Sequence, residues 1–166
     1  MAETEDVSSL WRDDLVAFVI GCSFSFESAL MDGGIDVRNI SENHNVPMYI
    51  TNIDTNPAGI FSGKLVVSMR PIPSFQIPQV VTITEKVPQV HGSPVHIGNL
   101  SAIGIKDISI PDFGEASTIR EGELPVFWAC GVTPQSVVMN SKPDFCITHA
   151  PGHMLITDLL EKDFRN

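Results

Sequence analysis

Leu124-Pro125-Val126-Phe127-Trp128-Ala129-Cys130-Gly131-Val132-Thr133-Pro134-Gln135 reads as a strand, a turn and the start of a helix. Leu124 to Cys130 is apolar and β-prone. Gly131 and Val132 turn the chain. Thr133 suits an N-cap and Pro134 the first helical position, where its missing N–H has no partner to lose. The helix then runs to about Asn140. A strand feeding directly into a helix is the building unit of α/β folds. The same turn presents backbone amides and a hydroxyl that can cradle a carboxylate or an oxyanion, so Cys130, Gly131 and Thr133 are candidate substrate-binding residues. An ordinary βα turn without a ligand is the plainer reading of these residues taken alone.

Working outward, Lys64 to Arg70 is a second strong strand, stopped by Pro71 and Pro73. Pro78 suits the first turn of a helix reaching about Val87. Ile35 to Ile40 and Val46 to Asn52 read as strands, His91 to Gly98 as a short extended segment, and Phe145 as the start of a last strand. Residues 9–33 read as a helical hairpin or a kinked helix. Leu10, Trp11, Leu15, Phe18 and Val19 recur at helical spacing, Gly21 interrupts them, and Phe26, Ala29 and Leu30 form one face of a second piece ended by Gly33-Gly34. The alternation predicts an α/β fold, with a mixed or mostly parallel sheet flanked by helices. A smaller α+β lobe is expected from the middle of the chain, 70–122, inserted into a main domain of 1–69 and 123–166.

The chain has 166 residues, 43% hydrophobic and 18% charged, enough to bury a core. Its 20 acidic and 10 basic residues give a net charge of −10. That argues against nucleic acid or an anionic membrane surface as a partner. The longest apolar run, Leu15 to Gly21, is too short to span a bilayer. Three cysteines without a C-x-x-C pair suggest reduced thiols, and the acidic start resembles neither a signal nor a transit peptide, so a cytoplasmic location is expected.

Chemistry-bearing residues gather in four further places. Cys22-Ser23-Phe24-Ser25-Phe26-Glu27 follows Gly21. If Ser23 starts a helix, Glu27 lies one turn on along the same face, and a thiol, two hydroxyls and a carboxylate share a helix start. A capped helix with a buried cysteine is the plainer reading. Arg70 ends an apolar strand, where its guanidinium can fork onto a substrate carboxylate or close a salt bridge at the sheet margin. Tyr49 and Asn52 add neutral hydrogen-bonding groups. His149 and His153 flank Pro151-Gly152 with Asp158 nearby, and His91 and His96 lie in a Gly-Pro segment. Two histidines in one turn suit acid–base chemistry. A divalent metal held by these histidines with Asp158 or Glu27 is the alternative, but H-E-x-x-H is absent, and no metal or other cofactor is expected. Dinucleotide, P-loop and G-x-S-x-G motifs are also absent.

Taken together, several stretches resemble the D-glutamate cyclase family, which includes bacterial hydro-lyases related to mitochondrial D-glutamate cyclase. They are Leu10-Trp11-Arg12-Asp13-Asp14-Leu15, 21–27, Asn45-Val46-Pro47-Met48-Tyr49, 66–73, 91–98, Pro111-Asp112-Phe113-Gly114, 125–135 and 147–158. They run in family order over nearly the whole chain. Family members carry a region before the Leu-Trp-Arg-Asp-Asp motif, which begins here at Leu10, so that region is expected to be absent. The resemblance implies a lyase that removes water from a small amino or carboxylic acid, such as D-glutamate to 5-oxo-D-proline. On that expectation His149, His153, Glu27, Ser23 and Ser25 are candidate catalytic groups. Cys22, Arg70, Tyr49, Asn52, His96, Cys130, Gly131, Thr133 and Asp158 are candidate substrate-binding groups. The expected partner is a small carboxylate, and a homo-oligomer stays open. Rival readings are a non-catalytic carboxylate-binding or assembly subunit and a metal-dependent hydrolase.

Overall fold

The computed structural model describes residues 3–149 and 153–165. Its centre is a four-stranded sheet in the order β1-β2-β4-β3, formed by β1 (Met48–Asp54), β2 (Lys64–Pro73), β3 (His96–Ile97) and β4 (Glu123–Ala129). The helices are α1 (Phe24–Asp32), α2 (Arg38–Ser41), α3 (Ile77–Thr84) and α4 (Thr133–Ser141). The chain mixes helices with a sheet, as the alternation of elements predicts. Every pairing between the strands is antiparallel, however, rather than mostly parallel. No helix among the described residues is long and apolar enough to cross a membrane.

The central pair is β2 with β4. Prolines 71 and 73 do not stop β2, because Pro71 faces Pro125 in the register. Opposed residues in an antiparallel ladder alternate between bonded and non-bonded pairs, and two prolines at a non-bonded pair remove no ladder hydrogen bond.

Alternation along these strands separates two faces. Ile72, Val126 and Trp128 pack with Phe26 and Leu30 of α1, Val80 of α3, and Val87 and Val90 beyond it. Val67, Met69 and Phe127 pack on the opposite side with Tyr49, Ile103 and Ile105. Segment 70–122 therefore contributes to both core layers. The outer edge of β1 is covered by the 111–114 turn: Met48 donates to the Phe113 carbonyl at 2.9 Å, and the Asp112 carboxylate accepts from the Ile50 amide at 2.7 Å. Gly114 permits this contact. Its φ is +75°, and a Cβ there would lie 2.1 Å from the Val46 carbonyl oxygen.

Other local expectations differ from the structure. Residues 11–22 form no helix, and Trp11, Val16, Phe18, Val19 and Ile20 are exposed. An apolar stripe makes a stable helix only where a tertiary face receives it. Ile35–Ile40 is not a strand: Ile35 and Val37 enter the core alternately, but Arg38 begins the one-turn helix α2. Arg38 is drawn inward by Glu123 (2.6 Å), Asp36 (2.9 Å) and the Thr118 carbonyl (2.6 Å). Residues 145–149 carry no strand, since no sheet strand pairs with them. The Pro-Gly turn expected between His149 and His153 lies outside the described residues.

A buried polar cluster at a glycine junction

One face of the central strands carries polar side chains where an apolar core is the rule. Ser68 and Arg70 stand two residues apart on β2 and so point to the same side, toward α1. Arg70 is 1% exposed and Glu27, on α1, 4% exposed. The Arg70 Nε donates to Glu27 Oε1 at 3.0 Å, and Nη2 donates to the same oxygen. Nη2 also donates to Ser23 Oγ at 3.1 Å, and Nη1 to Ser68 Oγ at 3.0 Å. The guanidinium carbon lies 4.9 Å from the Phe26 ring centre and 5.6 Å from that of Trp128. Asn39 donates to Glu27 Oε1 at 3.4 Å.

Ser23 and Glu27 meet on Arg70 because they are one helical turn apart. Ser23 is the residue before α1, yet its hydroxyl makes no cap bond; it faces Arg70 instead. Arg70 is thus held by α1 and by its own strand, with its fork on Glu27.

Beside this pair three chain segments converge on Gly21. A Cβ on Gly21 would lie 2.7 Å from Val90 Cγ1, and one on Gly131 would lie 3.4 Å from the Gly21 carbonyl oxygen. The segments that lead into α1 and α4 therefore meet here, and each helix N-terminus carries a partial positive charge. Cys22 and Cys130 flank the junction. Burial pushes the Cys130 thiol above its usual range, and the neighbouring Cys22 adds to this, so Cys130 stays protonated.

His91 completes the junction. It is half-buried, edge-on to Phe26 with ring centres 6.2 Å apart, and its φ of +130° is one that non-glycine residues rarely adopt. Burial holds its pKa below the ordinary value; the charge of Arg70 lowers it further, and the adjacent Gly21 backbone opposes both. Buried side-chain atoms without a hydrogen-bond partner among the described residues are Asn39 Oδ1, His91 Nε2 and Trp128 Nε1, on residues around the Arg70–Glu27 pair, and Ser117 Oγ and Gln135 Oε1 elsewhere. Buried polar atoms are normally paired, so the three that gather here make this cluster the candidate site.

The sequence candidates divide accordingly. Cys22, Ser23, Glu27, Arg70, Cys130 and Gly131 come together, with Ser25 on the first turn of α1. Thr133 is near, but it is the first helical residue rather than the N-cap, which is Val132. Its hydroxyl donates to the Val66 carbonyl at 3.2 Å and accepts from the Val66 amide at 3.0 Å, tying α4 to β2. His149 is exposed, its Nε2 3.1 Å from Gln135 Nε2 on α4. His153 and Asp158 lie on the exposed C-terminal segment.

Tyr49, Asn52 and His96 are elsewhere. Tyr49 packs on the opposite face of the sheet, donates to the Ile108 carbonyl at 2.6 Å, and has its pKa pushed up to about 12 by burial. Asn52 lies against Gly104. His96 stacks near Phe127 and bonds the Asn99 carbonyl at 2.7 Å. A surface groove of about 660 Å³ is also distinct: Asp54, Ser62, Lys64, Ser136 and Asn140 line it, and none of the cluster does. Among the described residues no three His, Cys, Asp or Glu side chains gather as metal ligands.

Ser68, Asn39 and Trp128 are not among the residues the sequence singles out for the site, and His91 enters there only with His96, as a possible metal ligand. Ser68 carries a signal, its period-2 spacing from Arg70. The place of His91 depends on a backbone conformation with no local signature.

The sequence model of the D-glutamate cyclase family matches residues 16–158. The chain belongs to the D-glutamate cyclase family. Its relatives include proteins named "Putative hydro-lyase" from Clostridium beijerinckii, 64% identical over 163 residues, and Psychrobacter arcticus, 62% identical over 163 residues. Each match covers 98% of this chain and 62% of the relative. A Bacillus licheniformis relative with the same description is 60% identical, again over 98% of this chain and 62% of its own length. The chain thus spans about three fifths of the length of these D-glutamate cyclase family members, and the match includes the whole glycine junction.

Proposed function

We propose that this chain carries the site of a hydro-lyase acting on a small amino or carboxylic acid, with D-glutamate to 5-oxo-D-proline plus water as the reaction that suits the cluster. Family membership and the relatives' names support the reaction class. The observation that carries the location is the gathering of unpaired buried polar atoms around Arg70–Glu27, beside two helix starts.

The reaction forms the bond from the α-nitrogen to the γ-carboxyl carbon and breaks one C–O bond there. Two protons leave the ammonium and end on the departing oxygen, which is released as water. The site must therefore hold anions and carry protons from nitrogen to oxygen. The starts of α1 and α4 supply amides and positive field for a carboxylate. Arg70, already committed to Glu27, Ser23 and Ser68, adds positive charge from beneath and fixes Glu27 in place.

The test is turnover by the purified chain of D- and L-glutamate, 5-oxoproline and short hydroxy acids, followed by NMR. Loss or gain of water from one of these is expected. Thermal stabilisation by an acid without turnover would favour a binding subunit instead.

A further inference from the structure

We infer that His91 is the proton carrier of this site, taking a proton from the substrate ammonium on its buried Nε2 and delivering it to the departing oxygen. The inference rests on the proposed hydro-lyase reading and goes beyond it by assigning the base. The ring lies beside the Gly21 backbone and edge-on to Phe26, and Nε2 is buried without a partner among the described residues. A neutral imidazole that carries its proton on Nδ1, toward the Gly21 carbonyl, presents Nε2 as an unprotonated lone pair. An imidazole held in that tautomer is poised to accept a proton at one atom and return it from the same atom.

The surroundings favour this neutral form. Burial and the Arg70 guanidinium both disfavour the imidazolium. Charged groups near His91 are Arg70 from β2, with Glu27 from α1 paired behind it. The 161–164 turn packs on residues 88–90 and carries Glu161, Lys162 and Asp163, all exposed. Cys22 and Cys130 flank the Gly21 and Gly131 backbones. The backbone at His91 is also held at φ +130° and ψ −36°. Such strain persists only where neighbours over-determine it, and it is common at sites. Here the neighbour is Gly21, whose lack of a side chain admits Val90 and, with it, the turn that carries His91.

The experiment compares wild type and His91→Gln on whichever acid is turned over, with thermal melts of both. A fall in kcat of about 10²–10⁴-fold is expected, with loss of an acid limb whose midpoint lies below the ordinary histidine value. A kcat within about threefold, with the same acid limb, overturns the role while leaving the hydro-lyase reading intact. If the wild type turns over none of the acids, that reading falls and the role with it. Should His91→Gln fail to fold, histidine NMR on the wild type decides. An Nδ1–H tautomer that shifts when D-glutamate or 5-oxoproline is added supports the role. A His91 signal indifferent to saturating amounts of the acid that is turned over overturns it.

Discussion

Replacing Glu27 by glutamine leaves the Arg70 guanidinium charged, buried and facing a neutral amide. In the wild type a single Glu27 oxygen accepts from Nε at 3.0 Å and from Nη2. At that separation and an effective dielectric of about 20, the attraction is about 5 kcal/mol, opposed by desolvation of both ions. Removing one partner of such a buried pair costs about 3–5 kcal/mol, because the remaining charge is uncompensated. For a chain of this size that is a fall in Tm of about 6–20 °C. Urea and thermal unfolding followed by circular dichroism measure it. The double variant Glu27→Leu with Arg70→Met removes both charges and should be less destabilised than the sum of its single variants, with a coupling of about 2–4 kcal/mol. Its residual loss comes from the hydroxyls of Ser23 and Ser68 and the Asn39 amide, which lose a partner. A Glu27→Gln variant within about 1 kcal/mol of wild type, or additive single variants, would refute the reasoning.

Gly114→Ala should destabilise by at least about 1 kcal/mol, since φ +75° is unfavourable for alanine and its Cβ would displace the Val46 carbonyl; urea unfolding measures this, and wild-type stability would argue against the 111–114 cover on β1. The Glu42–His44 pair, 3.0 Å apart, should give a stability contribution bounded on both sides in pH. The His44 hydrogen bond holds Glu42 down to about 2, so its share is present above its ordinary 4.5 and lost as pH falls through about 2. His44 is raised, first by the Asn45 carbonyl and then by Glu42, so its share is full below 6.5 and lost as pH rises through the raised value. In a pH series of unfolding free energies, His44→Ala should remove the His44 slope and shrink the Glu42 slope to the part held by Thr118 and Arg38. Alkylation by iodoacetamide, followed by mass spectrometry, should modify exposed Cys146 first and buried Cys130 last.

The two central strands and the helices at 24–32, 77–84 and 133–141 were legible because their residue patterns coincide with their packing. The strand pairing was not: about 50 residues separate β2 from β4, and the antiparallel match rests on the Pro71–Pro125 register, a relation between distant segments. The apolar stripe at 10–19 misled for the opposite reason. Its periodicity is real, but no face among the described residues receives it, and its large side chains are mostly exposed. At the site, Ser23 and Glu27 were readable from helical spacing and Arg70 from its rarity in an apolar strand. Tyr49 and His96 lie on the wrong face of the sheet, which depends on register rather than composition. His91 could not be chosen over the other histidines, because only the contact of Gly21 with Val90 and Gly131 brings it to the cluster.

Chemical-shift mapping with D-glutamate or 5-oxo-D-proline tests the location of the site most directly. Shifts are predicted for Gly21, Cys22, Ser23, Glu27, Arg70, His91 and Gly131. Shifts confined to the separate groove around Ser62, Lys64 and Asn140 would contradict the account.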